Sequence, residues 1–249
     1  TSNLPDPAVI PSEHFNTVLY TGTGSSLAVT GVGFQPDFVW MKRRDATQFH
    51  DLIDAVRGDS YRMFSNGSEF DYSVTFSFDS DGFHPDPTKV NENFSGGAYV
   101  AWNWKAGNAT LGTGDFTQGS IASTCSRNVD AGFSIVSYTG TGSLGTVGHG
   151  LASKPEMIIV KNRDISSPWI VMHKGIASDY ETDYIYLSTT QAAGDYDLFW
   201  NDTQPTNAVF TIKGDDPNTS TKAIIAYCFH SVEGYSKVGS YTGNGSADG

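Results

Sequence analysis

The segment His14–Asp45, HFNTVLYTGTGSSLAVTGVGFQPDFVWMKRRD, is written a second time, with substitutions, as GFSIVSYTGTGSLGTVGHGLASKPEMIIVKNRD over Gly132–Asp164. In register, Tyr20 meets Tyr138, Pro36 meets Pro155, and Lys42, Arg44 and Asp45 meet Lys161, Arg163 and Asp164. Further along, YRMFSN from Tyr61 answers YIYLST from Tyr184, and AYVAWNW from Ala98 answers AIIAYCF from Ala223. Self-similarity at a fixed spacing marks a repeated architecture, here with units of about a hundred residues. SYTGNGSADG at Ser240–Gly249 opens a third copy, so the expectation is of a chain that continues.

Inside the repeat, positions that stay apolar while changing residue mark strands, as in FVWMK against MIIVK. In AYVAWNW, alternation places Val100, Trp102 and Trp104 on one face, matched by Ile225, Tyr227 and Phe229 in the second copy. Tyr99 and Ala101, with Ile224 and Ala226, take the other face. Both faces are apolar, which predicts a strand near the middle of a sandwich. FDSDGF at Phe78–Phe83 reads as strand, Asp-Gly turn and strand. Fifteen Phe, twelve Tyr and five Trp supply a core, and Gly, Ser, Thr, Asn and Asp supply tight turns. The expected fold is all-β: two tandem, related β-sandwich units of the jelly-roll or concanavalin A lectin-like kind, with eight to ten strands each. The expected division is a Pro-rich arm over 1–13, a first unit over 14–118, a second over 119–238, and the start of a third over 239–249. GSIASTCS, in the connector, is expected to pair as an edge strand. Whether the units form one continuous sandwich or two lobes stays open at this point.

Fifteen Lys and Arg against 27 Asp and Glu give a net charge of −12. Such a chain repels phosphate backbones and anionic lipid, so nucleic acid and membrane insertion are not expected. The opening TSNLPDPAVIPSEHF lacks a basic stretch followed by an apolar one and is not read as a signal peptide. Cys125 and Cys228 do not resemble a disulfide framework, and Cys228 sits in an apolar strand.

No nucleophile elbow, Walker loop, His-Glu-x-x-His or Cys-x-x-Cys occurs, and the glutamates are scattered, so no catalytic residue is assigned. A polysaccharide-active enzyme is the least favoured class. The six histidines share no ligand spacing and read as ordinary loop or core residues. Asp79 and Asp81 in DSDG, and Asp215 and Asp216 in GDDPN, are the candidate oxygen ligands should Ca²⁺ bind, although Asp-Gly and Asp-Pro turns explain both phrases without an ion. Aromatic rings outside the matched strands, Trp169, Trp200, Tyr180, Tyr196 and Phe49, are the candidates for stacking on a glycan; the competing reading is that they cap the sandwich ends. The matched cluster of Lys42, Arg44 and Asp45 with Lys161, Arg163 and Asp164 is expected to fix an ion pair between strands or between units.

The phrases VTGVGFQPDFVWMKRRD (Val29–Asp45), YVAWNWKAG (Tyr99–Gly107) and SVEGYSKVGSYTGNGSADG (Ser231–Gly249), in that order, resemble a repeat-containing family of virion structural, tail-fibre-like proteins of marine phages. The resemblance covers nearly the whole chain after the Pro-rich arm. It implies a structural protein of the virion surface, extracellular on the particle, with a role in host adhesion. Its implied partners are itself, other virion proteins and a cell-surface glycan. It carries over no catalytic residues and no cofactor. A carbohydrate-binding module is the alternative function.

Overall fold

The structure, a computed structural model, describes residues 9–246; residues 1–8 of the Pro-rich arm and residues 247–249 of the third phrase lie outside the described residues. The first half runs β1 (Phe15–Thr21), β2 (Phe38–Arg43), β3 (Asp51–Asp54), β4 (Tyr61–Phe64), β5 (Tyr72–Ser73), a hairpin of β6 (Ser77–Asp79) and β7 (Gly82–His84), one helical turn α1 (Val90–Asn93), and β8 (Ala98–Trp104). The second half runs β9 (Ser123–Asn128), β10 (Phe133–Thr139), β11 (Gly145–Gly148), β12 (Met157–Asn162), β13 (Ile170–His173), β14 (Asp183–Tyr186), β15 (Gly194–Asp195), one helical turn α2 (Asp197–Trp200), β16 (Val209–Ile212) and β17 (Ala223–Phe229). The protein is all-β. The FDSDGF hairpin forms where the Asp-Gly turn predicts it, and the connector stretch pairs with β10 as the edge strand β9.

The first wide sheet has the strand order β1-β8-β2-β3-β4-β5, and the second β9-β10-β17-β12-β13-β14-β15. The six strands of the first order recur in the second, with β9 added outside. Register matches as well: Thr21 lies opposite Ala98 as Thr139 lies opposite Ala223, and Met41 lies opposite Asp51 as Val160 lies opposite Ile170. β8 and β17, apolar on both faces, sit inside their sheets.

The layers follow from that two-sided apolarity. The outer face of the first sheet buries Val39, Met41, Ile53 and Ala101 against Phe76 and Phe83 around the β6–β7 hairpin. The outer face of the second buries Val136, Ile158, Ile170 and Ala226 against Phe199, Trp200, Phe210 and Ile212, brought by α2 and β16. Between the wide sheets lies a shared core of Phe38, Leu52 and Met63 from one half and Ile135, Trp169, Ile225 and Tyr227 from the other. The halves are therefore not separate lobes: one sandwich core belongs to both. Phe38 stacks on Tyr227 with ring centroids 4.5 Å apart, and the Trp169 indole N–H donates to the Phe64 carbonyl at 2.8 Å.

The repeated Thr-Gly-Thr-Gly phrase has a local cause. A Cβ on Gly22 would sit on the Phe94 carbonyl oxygen, and one on Gly140 on that of Thr219, so neither position admits a side chain. Gly24 and Gly142 have φ of +67° and +70°, the left-handed region that glycine enters without penalty. Both loops wrap a buried asparagine. Thr23 N donates to Asn93 Oδ1 at 2.7 Å and Asn93 Nδ2 donates to the Ser25 carbonyl at 2.7 Å. In the second half Thr141 N donates to Asn218 Oδ1 at 2.8 Å and Asn218 Nδ2 to the Ser143 carbonyl at 2.7 Å. Tyr20 and Tyr138 anchor the strands entering these loops by donating to the carbonyls of Glu92 and Pro217 at 2.8 and 2.7 Å. The phrase is thus an architectural clamp.

Candidate functional site

A chain of buried polar groups crosses the shared core. Tyr227 Oη donates to Asp54 Oδ2 at 2.7 Å, and Arg57 Nε donates to the same oxygen at 2.5 Å. Arg57 Nη1 continues to Asp71 at 3.0 Å, and Asp71 accepts from Arg163 Nε at 2.8 Å. The path starts in the second half, passes through the first and returns. Burial and the Asp54 charge push the Tyr227 phenol well above its ordinary range. Arg163, expected to take part in an inter-unit pair, does so with Asp71. The rest of the matched cluster behaves differently. Asp45 pairs with Arg43 at 2.7 Å, while Asp164 accepts from the backbone N–H of Ala223 at 2.8 Å. Among the described residues Lys161 makes no salt bridge: its ammonium donates to the carbonyls of Asn162 and Ile165 at 2.5 and 3.1 Å, and burial lowers it to about 8.

A second polar cluster lies under the outer face of the first sheet. Arg62 Nη1 donates to Asp51 Oδ2 at 2.8 Å and to Glu92 Oε1 at 3.1 Å; both acids are fully buried. Asn91 Nδ2 donates to Asp51 Oδ1, and the Asp86 N–H to Glu92 Oε2. Burial, and after it the Asp51 charge, pushes Glu92 well above the carboxylate range; burial also raises Asp51 against the pull of Arg62. Two carboxylates facing one cation away from water favour proton uptake by one of them. Sequence reading missed this pair because the acids stand far apart in the chain. Neither acid lines the cleft described below.

The residues proposed for glycan stacking do not come together. Trp169 and Trp200 are fully buried and Tyr180 nearly so, in the shared core and the second outer core, where no sugar reaches a ring face. Tyr196 donates its hydroxyl to Asp215 at 3.0 Å and packs edge-on against Phe199, also within the second outer layer. The stretches of Trp200, Tyr180 and Tyr196 vary between the halves because each outer layer has its own cover; variable, here, means differently buried. Phe49 is the exception, 41% exposed. It stacks on Phe64 at 4.5 Å; Phe64 contacts Tyr72 at 5.5 Å, and Tyr72 stacks on Phe70 at 5.3 Å. Phe70 and Tyr72 are exposed as well, at 46% and 37%. The result is an aromatic ladder at the β4–β5 edge of the first sheet, held from beneath by the buried Phe64 and by the Arg62 guanidinium 5.0 Å over its ring.

The candidate calcium ligands have other duties. Asp81 accepts from the N–H groups of Gly31 and Gly33 at 3.0 and 2.6 Å, which lowers its carboxyl. Asp79 caps the Ser80 N–H and meets His84 Nε2 at 3.3 Å. Asp215 accepts from Tyr196, and Asp216 is raised by burial and then by Asp215. Among the described residues no group of three or more His, Cys, Asp or Glu side chains is gathered for a metal. Both cysteines are free and buried in the second outer core; burial pushes the Cys125 thiol up to about 12. His149 is a core histidine, lowered to about 4 by burial, with Nε2 3.1 Å from the Thr206 carbonyl.

A cleft of about 410 Å³ opens between the two wide sheets. Its walls are ring faces from both halves: Phe15, Phe38, Trp40 and Trp104 from one, Tyr227 and Phe229 from the other. These residues belong to the repeated strands. Pattern reading assigns them to core, and only the stacking of one sheet on another leaves a gap among them.

Fold and site together define an acidic, two-sheet β-sandwich protein with an aromatic ladder on one edge and an aromatic cleft between its sheets. The profile of a domain of unknown function, DUF7483, matches residues 10–249, and the chain belongs to that family. No curated protein and no solved structure matches it.

Proposed function

We propose that this chain is a non-catalytic structural protein of a phage-particle surface with a role in adhesion. In this reading it grips a cell-surface glycan through the aromatic ladder and associates with itself or with other virion proteins. The observation that carries the adhesive part is the ladder itself. Phe49, Tyr72 and Phe70 expose ring surface in a stacked row, and exposed ring faces are what the C–H faces of sugars pack on. Its base is rigid, since Phe64 is buried and β4 is paired to β3. The non-catalytic part rests on where the ionisable groups are spent. Asp54, Arg57, Asp71 and Arg163 tie the halves together, and Asp51, Glu92 and Arg62 close a buried cluster.

A glycan array probed with the wild type and with a Phe70→Ala/Tyr72→Ala double variant tests the reading. The expected result is retention of one restricted class of polysaccharide, in the micromolar to millimolar range, about −8 to −4 kcal/mol. The double variant is expected to bind about tenfold more weakly or worse with an unchanged melting temperature. A blank array, or retention indifferent to the double substitution, overturns the adhesive reading.

A further inference from the structure

The two wide sheets end on four outer strands, β1 and β5 in the first, β9 and β15 in the second, and three of these are blunted. β5 and β15 are two residues long, and β15 contains Asp195. β9 carries Arg127, and its outer side is already taken: Leu111 N donates to the Cys125 carbonyl at 2.8 Å and Cys125 N to the Leu111 carbonyl at 3.1 Å. Short length, charge and a covering segment all stop a sheet from growing at its edge. β1 has none of them. FNTVLYT runs for seven residues without a charge or a proline. Its counterpart β10, FSIVSYT, is uncharged too, and β9 covers it from Phe133 to Tyr138.

The backbone of β1 is directed for pairing. His14 O accepts from Lys105 N and Gly22 N donates to Gly97 O, each at 2.8 Å. Alternation then turns Asn16, Val18 and Tyr20 toward β8, and it points the N–H and C=O groups of Phe15, Thr17, Leu19 and Thr21 away from the sheet. Among the described residues no strand pairs on that side. The Thr17 N–H is met by Asn16 Oδ1 at 2.9 Å, an exposed bond. The side chains agree with the backbone. Leu19 is 64% exposed, and Val100 and Trp102, opposite Leu19 and Thr17 on β8, are half-buried. The matched Ile225 and Tyr227 are fully buried, so this end of the first sheet's inner face is left partly uncovered.

We propose that β1 pairs antiparallel with β1 of a second copy, about a two-fold axis at Val18. That register sets Phe15 opposite Thr21 and Thr17 opposite Leu19, all with backbone groups turned outward. The same strand serves on both sides, so the contact is isologous and closes as a dimer. The two Leu19 side chains fall on one face as diagonal neighbours, flanked by Val100 and Trp102 of each copy. The Thr17 N–H exchanges Asn16 for the Leu19 carbonyl of the second copy. This proposal rests on the self-association part of the reading above and names the surface that performs it.

Sedimentation equilibrium of the full chain over a concentration series tests it. A reversible monomer–dimer equilibrium is expected, weakened about tenfold or more by Leu19→Lys with the melting temperature unchanged. Amide hydrogen exchange reads the site itself: the Leu19 and Thr21 N–H groups are expected to gain protection as the concentration rises. A mixture of Thr17→Cys and Leu19→Cys proteins is expected to form an intermolecular disulfide on mild oxidation, since directly opposite residues place their Cα atoms about 5.5 Å apart. Cys125 and Cys228 are buried and do not compete. The Phe70→Ala/Tyr72→Ala variant is expected to dimerise as the wild type does, so failure of the edge and failure of the ladder read out separately. A dimer indifferent to Leu19→Lys overturns the edge while self-association stands, and a monomer at every concentration overturns both. Protection of Leu19 and Thr21 that ignores concentration also overturns the proposal, because the edge would then be covered from within the chain.

Discussion

The two outer cores occupy the same place in matched sheets and differ in chemistry: the first sets a buried ionic cluster beside its apolar residues, and the second does not. In the first half the residue opposite Met41 is Asp51; in the second the residue opposite Val160 is Ile170. Around Asp51 gather Glu92 and Arg62. Ile170 belongs instead to the cluster that holds Phe199, Trp200, Phe210 and Ile212. Strand order and register are the same in both. Backbone pairing, the glycine-dependent Thr-Gly clamp and the two-sided closing strand therefore specify the sheet, and the layer beneath it is free to be wholly apolar or to include an ionic cluster provided it is filled and satisfied.

The largest effects come from emptying either layer. Trp200→Ala removes the largest ring of the second outer core and is expected to cost about 3–5 kcal/mol in urea unfolding, with little change between pH 5 and 8. Arg62→Leu strands two buried carboxylates and is expected to cost a similar amount, about 3–5 kcal/mol, at neutral pH. Its cost shrinks as the acids take up protons at low pH. Matching pH dependence in the two variants would break the contrast between the layers.

A smaller effect tests whether the halves respond as one body. Tyr227→Phe deletes a single hydroxyl between the halves while Arg57 still holds Asp54, and is expected to cost about 1–2 kcal/mol. Because the shared core binds both sheets, the unfolding transition should stay single and shift as a whole, by fluorescence and by circular dichroism alike. Two separated transitions would show that each half is stable without the other.

Much of this architecture is written in the repeat, and the parts that are not share a physical reason. FVWMK and MIIVK become β2 and β12, and AYVAWNW and AIIAYCF become the interior strands β8 and β17, because a strand buried on both sides must be apolar at most positions. The covers escaped pattern reading. Trp200 falls in a stretch that differs between the copies, and difference reads as surface when the two layers are in fact packed by different residues. The cleft escaped because each repeat, taken alone, cannot say what its inner face will meet. Asn93 and Asn218 left a signal that could have been used: each stands five residues before its closing strand, at Ala98 and Ala223, although their distances from the Thr-Gly loops differ. The buried acids left none, since nothing near Asp51 announces Glu92.

The sharpest test of the ionic layer removes one titrating group and reads the slope. Glu92 has its folded-state proton affinity raised above the ordinary value of 4.5 by burial and by Asp51. Above that ordinary value the unfolded chain releases the proton while the folded chain keeps it, so the folded state binds more protons and its stability falls as pH rises toward the raised value. Glu92→Gln replaces the protonated acid with an amide that can still donate toward Asp51 and that does not titrate. Urea unfolding of both proteins from pH 4.5 to 8 should give similar stabilities at the acid end. The variant should then gain steadily on the wild type as pH rises. Asp86 and Glu156, both lowered in the folded state, slope the other way, but they do so in both proteins and cancel in the difference. A constant gap across the range would mean that Glu92 keeps no proton, and the cluster under the first sheet would then be a fully ionised triad around Arg62.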